Sequence, residues 1–450
     1  MMKSSLQATS SLEKWLCYIE QSHSKVIDMG LGRVKRVAEQ LDLLCPAPFV
    51  ITVGGTNGKG TTCRLLEMLL LNAGLRVGVY SSPHLLRYNE RVRIQNQELP
   101  DSAHSASFYF LDQSRTESLS YFEFSTLSAL YLFKQAALDV VILEVGLGGR
   151  LDATNIVDSD ISVITSIDID HVDYLGDNRE KIGYEKAGIF RAGKRAVIGE
   201  ANLPDSVVQY AAEMGCELFC RDKDWSYCEQ GETWQWQSQR YKQQTALWQQ
   251  LPMPHIPLAN AATALAVCCC LPFQISVENI VNTLMQVELS GRFQTISAQR
   301  LQPLAEQWQL ALADLPQVIV DVGHNPHAAR YLAQKLQQLN TQHKRKVTTV
   351  FAMLKDKDAV QVVEPLATAI EQWYFADLNG YRGQSAEQLQ SAVAEVLTPQ
   401  QRQTAITSAS VTAAVKTALC NMQADELLLI FGSFFTVAEF LVLLEPKSAV

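Results

Sequence analysis

Val53-Gly54-Gly55-Thr56-Asn57-Gly58-Lys59-Gly60-Thr61-Thr62 follows an apolar run from Phe49 and precedes a helical pattern carrying Leu65, Leu66, Met68, Leu69 and Leu70. Strand, glycine-rich turn, helix is the context in which a loop holds phosphates. Glycines remove side chains, so backbone N–H groups can point at an anion. The helix N-terminus adds partial positive charge. In such a loop Lys59 neutralises the β- and γ-phosphates, and a threonine hydroxyl can ligate Mg²⁺. The common pattern G-x-x-x-x-G-K-[ST] is not met in full. Val53 stands where it has glycine, and Gly60 follows the lysine, so the hydroxyl of Thr61 comes one place late. The stretch reads as nucleotide-binding; the competing reading is a βα turn that binds nothing.

Outward from this loop, polar residues collect where apolar strands end, which is where open α/β sheets bind ligands. A strand over 76–80 runs into Ser81-Ser82-Pro83-His84. Ser82 there is a cap or a metal or phosphate ligand. A continuous apolar strand over 139–145, of the kind buried on both faces, carries Glu144 at its end. A carboxylate there is expensive unless paired or holding a cation, so Glu144 is an Mg²⁺ candidate. A strand over 161–167 leads to Asp168-Ile169-Asp170-His171. His171 is either a metal ligand or a capped core histidine. Lys186 lies in a small, apolar stretch, where a lysine ordinarily packs its stem and extends its ammonium to water. Asp28, before Met29 and Gly30, either caps a helix over 34–44 or belongs to a ligand loop.

The 450 residues suggest two or three domains and carry a net charge of −9, which argues against a general nucleic-acid or membrane-surface binder. No apolar run is long enough to span a membrane, and residues 1–11 show no leader-like stretch. The ten cysteines lack metal or disulfide spacing; Cys268-Cys269-Cys270 lies in an apolar helical pattern and reads as core. A cytoplasmic, reduced compartment is expected. Residues from about 216 to 251, with four tryptophans, read as a small β-hairpin excursion. Helices over 258–270 and 277–287 follow, and Gly291-Arg292-Phe293 marks a boundary. Strands over 317–322, 347–353, 372–376 and 426–431 then alternate with helices, and 298–316 reads as a helical insertion. The prediction is α/β throughout. A P-loop-type domain with a central, mostly parallel sheet spans 1–288, and a smaller Rossmann-like α/β domain spans 289–450. No dinucleotide fingerprint supports hydride transfer.

The loop G-T-N-G-K-G-T resembles that of the ATP-dependent amide ligases of the Mur ligase superfamily. Ser81-Ser82-Pro83-His84, Leu143 through Asn155, Glu185-Lys186-Ala187-Gly188, Asn260-Ala261-Ala262, Gly291-Arg292-Phe293 and Asp321-Val322-Gly323-His324-Asn325-Pro326 narrow this to the folylpolyglutamate synthase family. Asp28-Met29-Gly30 resembles its bifunctional bacterial branch, dihydrofolate synthase/folylpolyglutamate synthase. The resemblance implies ATP-dependent addition of L-glutamate to dihydropteroate and to the γ-carboxyl of reduced folates. Nothing in the sequence calls for more than a monomer. The resemblance also implies ATP contacts at Thr56, Asn57, Gly58, Lys59, Gly60, Thr61, Asn260, Arg292 and Asp321. Ser82, Glu144 and His171 would ligate Mg²⁺. Lys186, as its carbamate, would help hold a second ion. Asp28, Met29, Gly30, Ser120, Tyr121, Phe122, Glu123, Leu151, Asp152 and Ala153 would line the pterin pocket, and His324 would stand near the chemistry. Gly323 replaces a usual alanine, and Phe435 a usual histidine. The alternatives are a cell-wall peptide ligase, which needs a further N-terminal domain, and a nucleotide-dependent switch, which needs no glutamate.

Overall fold

A computed structural model describes residues 3–25, 28–241 and 244–445; Ile27 of the loop before the second helix, and residues 242 and 243 of the β excursion, lie outside them. The chain divides into two compact units, Met1–Val287 and Glu288–Val450.

The first unit is built on β1 (Phe49–Gly54), β2 (Val77–Tyr80), β3 (Val92–Ile94), β4 (Gln97–Glu98), β5 (Val140–Glu144), β6 (Ile161–Ile164), β7 (Arg195–Ile198) and β8 (Glu217–Cys220). Their order in the sheet is β4-β3-β2-β5-β1-β6-β7-β8. From β2 to β8 the strands are parallel; β3 and β4 are antiparallel edge strands. Alternation along β1 and β5 serves two cores. Ile51, Val53, Val140 and Ile142 pack with the Lys59–Asn72 and Leu258–Cys270 helices. Val50, Val141 and Leu143 face the other way, toward Trp15, Phe108 and Phe124. Two-sided burial is why these strands read as unbroken apolar runs. β1 lies where the connections diverge: the chain leaves it toward β2, and the β5–β6 crossover passes to its other side. The phosphate loop thus starts at the switch point of the sheet.

The helix expected over 34–44 instead spans Leu31–Gln40. Asp42, with φ 54°, turns the chain out of the helix. The β excursion is larger than a hairpin. β8 extends the main sheet, and β9 (Trp225–Gln230), β10 (Thr233–Tyr241) and β11 (Gln244–Pro252) form a separate antiparallel sheet. Its apolar face needed a partner and found the first core. Trp225, Trp234 and Trp236 are buried there, and Trp236 Nε1 donates to Ala262 O at 3.1 Å. Cys268 and Cys269 are buried in the same core.

The second unit carries β12 (Gln294–Ile296), β13 (Gln317–Asp321), β14 (Val347–Phe351), β15 (Gln372–Ala376), β16 (Ile406–Ser408) and β17 (Leu427–Phe431). Their order is β12-β13-β17-β14-β15-β16, with only β12 antiparallel. The three-residue strands β12 and β16 are edges that sequence reading did not anticipate. Residues 298–316 hold the helix Ala298–Trp308 and a single 3₁₀ turn, Leu312–Asp314.

Glu67, fully buried in the helix after the phosphate loop, joins that helix to the sheet edge. Its carboxylate accepts from Arg93 Nη2 and Arg64 Nη1, each at 2.9 Å. Removing it strands Arg93 in a buried setting. Glu67→Ala is expected to lose about 3–5 kcal/mol of stability in urea unfolding. A loss under about 1 kcal/mol would mean that water replaces the carboxylate.

Candidate active site

Between β1 and the Lys59–Asn72 helix the chain has almost no room for side chains. Gly58 has φ 82°, and a Cβ there would sit 2.3 Å from Asn260 Oδ1. At Gly55, with φ 147°, a Cβ would lie 1.9 Å from Thr165 Oγ1. The loop is pinned by the segment after β6. Thr56 N–H donates to Ser166 O at 2.8 Å, Asn57 N–H to Ser166 Oγ at 3.0 Å, and Thr165 Oγ1 to Asn57 O at 2.6 Å. Thr56 Oγ1 donates to Asp168 O at 3.0 Å. Lys59 Nζ curls over the loop onto Gly55 O (3.0 Å) and Thr56 O (3.3 Å). Gly60 follows it in the first helical turn, half-buried. Thr61 Oγ1 donates to Gly58 O at 2.9 Å and accepts from Asn260 Nδ2 at 2.6 Å, so this hydroxyl is committed to the loop. Thr165 and Ser166 escaped sequence reading; nothing local distinguishes them from ordinary strand-end hydroxyls.

The next strand ends lie alongside. Val145 N–H donates to Val53 O at 2.9 Å, which sets the end of β5 against the start of the loop. Glu144 is buried, and Ser82 N–H donates to its Oε2 at 3.3 Å. His171 is not a core histidine. It has φ 52°, precedes the one-turn helix Val172–Leu175, and its side chain is 42 % exposed, with Nε2 4.0 Å from Asp170 Oδ2. Nor does Lys186 extend to water. It is buried in the last turn of the Arg179–Ala187 helix. Burial, with the charge of Lys59 adding to it and Asp170 opposing, pushes its amine down to about 7. Among the described residues no three His, Cys, Asp or Glu side chains gather closely enough to hold a metal. Ser82, Glu144 and His171 are instead single donors from three separate strand ends.

The pocket candidates divide into those that shape a loop and those that are open. Asp152 is buried and accepts four hydrogen bonds, from Gly146 N, Leu147 N, Thr154 N and Thr154 Oγ1, at 2.6–3.0 Å. Burial pushes its carboxyl up while these donors pull it down. Ala153 is buried beside it and Leu151 is half-buried. Ser120 and Glu123 form a capping box on the Tyr121–Gln135 helix. Asp28 caps no helix: Gly30 holds that position, and Met29 between them is half-buried. Asp28 instead accepts from Arg33 Nη1 at 2.7 Å and meets His23 Nε2 at 3.1 Å. The His23 hydrogen bond, then the Arg33 charge, holds its carboxyl below the usual range against burial. Arg33 Nη2 also reaches Glu123 Oε1 at 2.9 Å. One arginine that sequence reading missed thus ties two predicted pocket residues 95 positions apart. Tyr121 and Phe122 are half-buried, and a Cβ at Gly146 would lie 2.6 Å from the Phe122 ring.

In the second unit the predicted residues form their own cluster. Asp321 ends β13, accepting from Phe293 N–H at 2.8 Å and Gly323 N–H at 2.6 Å. Burial pushes its carboxyl up and Arg292 pulls it down. Arg292 lies 5.0 Å from the Phe434 ring centroid. His324 Nδ1 is 2.9 Å from Val322 O, and its ring is 6.1 Å from Phe434. Gly323 fits this turn because a Cβ there would lie 2.7 Å from Asp321 Oδ1. Phe435 is 60 % exposed.

Residues 53–270 match the Mur ligase middle domain, and residues 299–434 the Mur ligase glutamate ligase domain. A dihydrofolate synthase/folylpolyglutamate synthase from Haemophilus influenzae is 57 % identical over 98 % of this chain and 99 % of its own. The structure described as E. coli FolC in complex with DHPP and ADP superposes with a TM-score of 0.88, at 46 % identity, covering 97 % of this chain and 98 % of that one. A bifunctional folylpolyglutamate synthase/dihydrofolate synthase with Mn, AMPPNP and L-glutamate bound has a TM-score of 0.86 at 50 % identity, over 98 % of this chain and 99 % of that one. Matched by two Mur ligase domain models and by relatives over nearly its whole length, this chain belongs to the dihydrofolate synthase/folylpolyglutamate synthase family of Mur ligases.

Proposed function

We propose that this chain uses ATP to join L-glutamate to dihydropteroate and to the γ-carboxyl of reduced folates. One observation carries the reading. A phosphate loop, a buried acidic strand end and a buried lysine of lowered basicity belong to one edge of one sheet. DHPP, ADP, AMPPNP, Mn and L-glutamate in the related structures are the matching ligand set. Residues 1–288 would bind ATP and the pterin, and 289–450 would form the glutamate-ligase domain, in a monomer.

A carboxylate does not acylate an amine in water because its oxygen is a poor leaving group. Transfer of the γ-phosphoryl group to it gives an acyl phosphate. The glutamate amine then attacks the acyl carbon, the C–O bond to phosphate breaks, and phosphate leaves with the electron pair. Such transfers need positioning and charge neutralisation. The N–H groups of Lys59, Gly60 and Thr61, in the first helical turn, have no intrahelical acceptor and are available to the phosphates. Lys59 adds its charge by exchanging the loop carbonyls for phosphate oxygens. Thr56, Asn57, Gly58 and Asn260 hold the loop in shape. From the family resemblance, Arg292 and Asp321 would serve ATP, and His324 would serve the reaction.

Ser82, Glu144 and His171 suit Mg²⁺, which takes few protein ligands and shares the rest with phosphate and water. When bound, such an ion spreads the charge of the phosphates. Lys186 suits carboxylation, because only the unprotonated amine takes up CO₂, and at about 7 its basicity leaves much of it unprotonated at neutral pH. Its carbamate would serve a second ion. In the pterin pocket, Ser120, Glu123 and Asp152 act by fixing main chain, and Asp28 by holding the Arg33 and His23 side chains. Met29, Gly30, Tyr121, Phe122, Leu151 and Ala153 offer the contact surface.

ADP release with saturating Mg·ATP and glutamate is expected with both dihydropteroate and a reduced folate monoglutamate. Release with folate alone would remove the dihydropteroate activity; release with neither would sink the assignment. Lys186→Ala is expected to abolish turnover, and added formate or acetate to restore part of it. Full activity in that variant would remove the carbamate. Glu144→Gln should slow Mg²⁺-dependent turnover roughly a hundredfold, about 3 kcal/mol, with little change in the unfolding midpoint. A parallel collapse of both would make Glu144 structural.

A further inference from the structure

Among the described residues Arg91 is a buried cation with no acidic partner. It is 8 % exposed, at the end of the 3₁₀ turn before β3. Neighbouring arginines all find carboxylates: Arg93 and Arg64 pair with Glu67, and Arg87 with Glu98. The adjacent Glu90 is spent on the N–H groups of Leu85, Leu86 and Arg87 at 2.6, 2.6 and 2.7 Å. Among the described residues the Arg91 side chain makes one hydrogen bond, from Nε to His84 Nδ1 at 2.8 Å. Its guanidinium lies 5.8 Å from the Tyr88 ring centroid and 5.4 Å from that of Tyr121. Two aromatic rings and an imidazole orient it, but none carries the negative charge that a buried guanidinium requires.

Donor logic extends the group. Arginine has no acceptor, so His84 Nδ1 must accept, and the proton of a neutral imidazole is then on Nε2. Both Arg91 NH₂ groups and His84 Nε2–H remain as donors. They stand beside the ligand elements. His84 is two residues beyond Ser82, and Ser81 N–H donates to Arg91 O at 2.9 Å. Tyr121 adjoins Phe122, whose ring packs on Gly146.

We propose that Arg91, oriented by His84, Tyr88 and Tyr121, binds a carboxylate of the acid substrate. The inference rests on the ligase reading above and adds a binding residue to it. A planar guanidinium fork matches a carboxylate in geometry and charge. Dihydropteroate offers only its reacting carboxylate; a folate monoglutamate offers an α-carboxylate as well as the reacting γ-carboxylate.

The test is steady-state ADP release by wild type, Arg91→Met and Arg91→Lys, with KM for dihydropteroate, a reduced folate monoglutamate, ATP and L-glutamate, alongside urea midpoints. Arg91→Met is expected to raise acid-substrate KM roughly tenfold or more, with Arg91→Lys recovering part of it. ATP KM stays within about twofold, and the urea midpoint of Arg91→Met does not fall, since an unpaired buried charge has been removed. An effect on both acids identifies the reacting carboxylate, and an effect on folate alone identifies the α-carboxylate; either supports the proposal. Acid-substrate KM within about twofold of wild type in Arg91→Met overturns it. So does a joint loss of acid binding, ATP binding and urea midpoint, which marks a structural arginine. Wild type inactive on both acids overturns the ligase reading, and this one with it.

Discussion

The site depends on one steric constraint: nothing larger than hydrogen fits at position 58. The Asn260 amide occupies the space where a Cβ would go, and it also donates to Thr61. That amide belongs to the Leu258–Cys270 helix, some two hundred residues along the chain. Thr165 plays the same part at Gly55. The loop is held from both flanks by segments that reach it only once the parallel sheet has formed. Its shape is therefore a tertiary property, and the departures from the common phosphate-loop pattern at Val53 and Gly60 are tolerated because these flanking contacts set the backbone.

Buried charge is the second theme of the first unit, and it comes in two kinds. Glu67 and Asp112 are buried and paired with arginines, and each ties elements together. Lys186 and Arg91 are buried near the ligand elements. Charges of the second kind weaken the folded state unless a ligand or cation compensates them. Lys186 shows the consequence: desolvation, with the charge of Lys59 adding to it, brings a surface-type cation down to about 7.

Much of this was legible in the sequence wherever burial is two-sided or a motif is contiguous. β1 and β5 read directly because both faces are covered, and the loop read directly because its glycines are adjacent. β12 and β16 did not read, since three residues carry no periodicity. The β9–β11 sheet was under-read because its tryptophans look alike in sequence, although only one face packs on the core. His171 and Lys186 were ambiguous for the same reason: local sequence does not say what covers a side chain. The Arg33 bridge between Asp28 and Glu123 has no sequence signal, since its partners meet only after folding.

Asp152 is built to hold a loop rather than to reach a ligand. Both oxygens are taken, Oδ2 by the N–H groups of Gly146 and Leu147, Oδ1 by Thr154. A buried carboxylate with four donors has little capacity left for a fifth. Its first effect is to set the main chain of 146–154, and through Gly146 the ring of Phe122. A variant at Asp152 would release that loop, and the Phe122 surface with it, whether or not the carboxylate ever met a pterin. Loss of activity there cannot separate contact from support. The half-buried Tyr121, Phe122 and Leu151 can, because none of them holds the loop by hydrogen bonds through its side chain. Discrimination among acid substrates is therefore to be sought at those side chains and at Arg91, whose guanidinium is oriented but not neutralised by the protein around it.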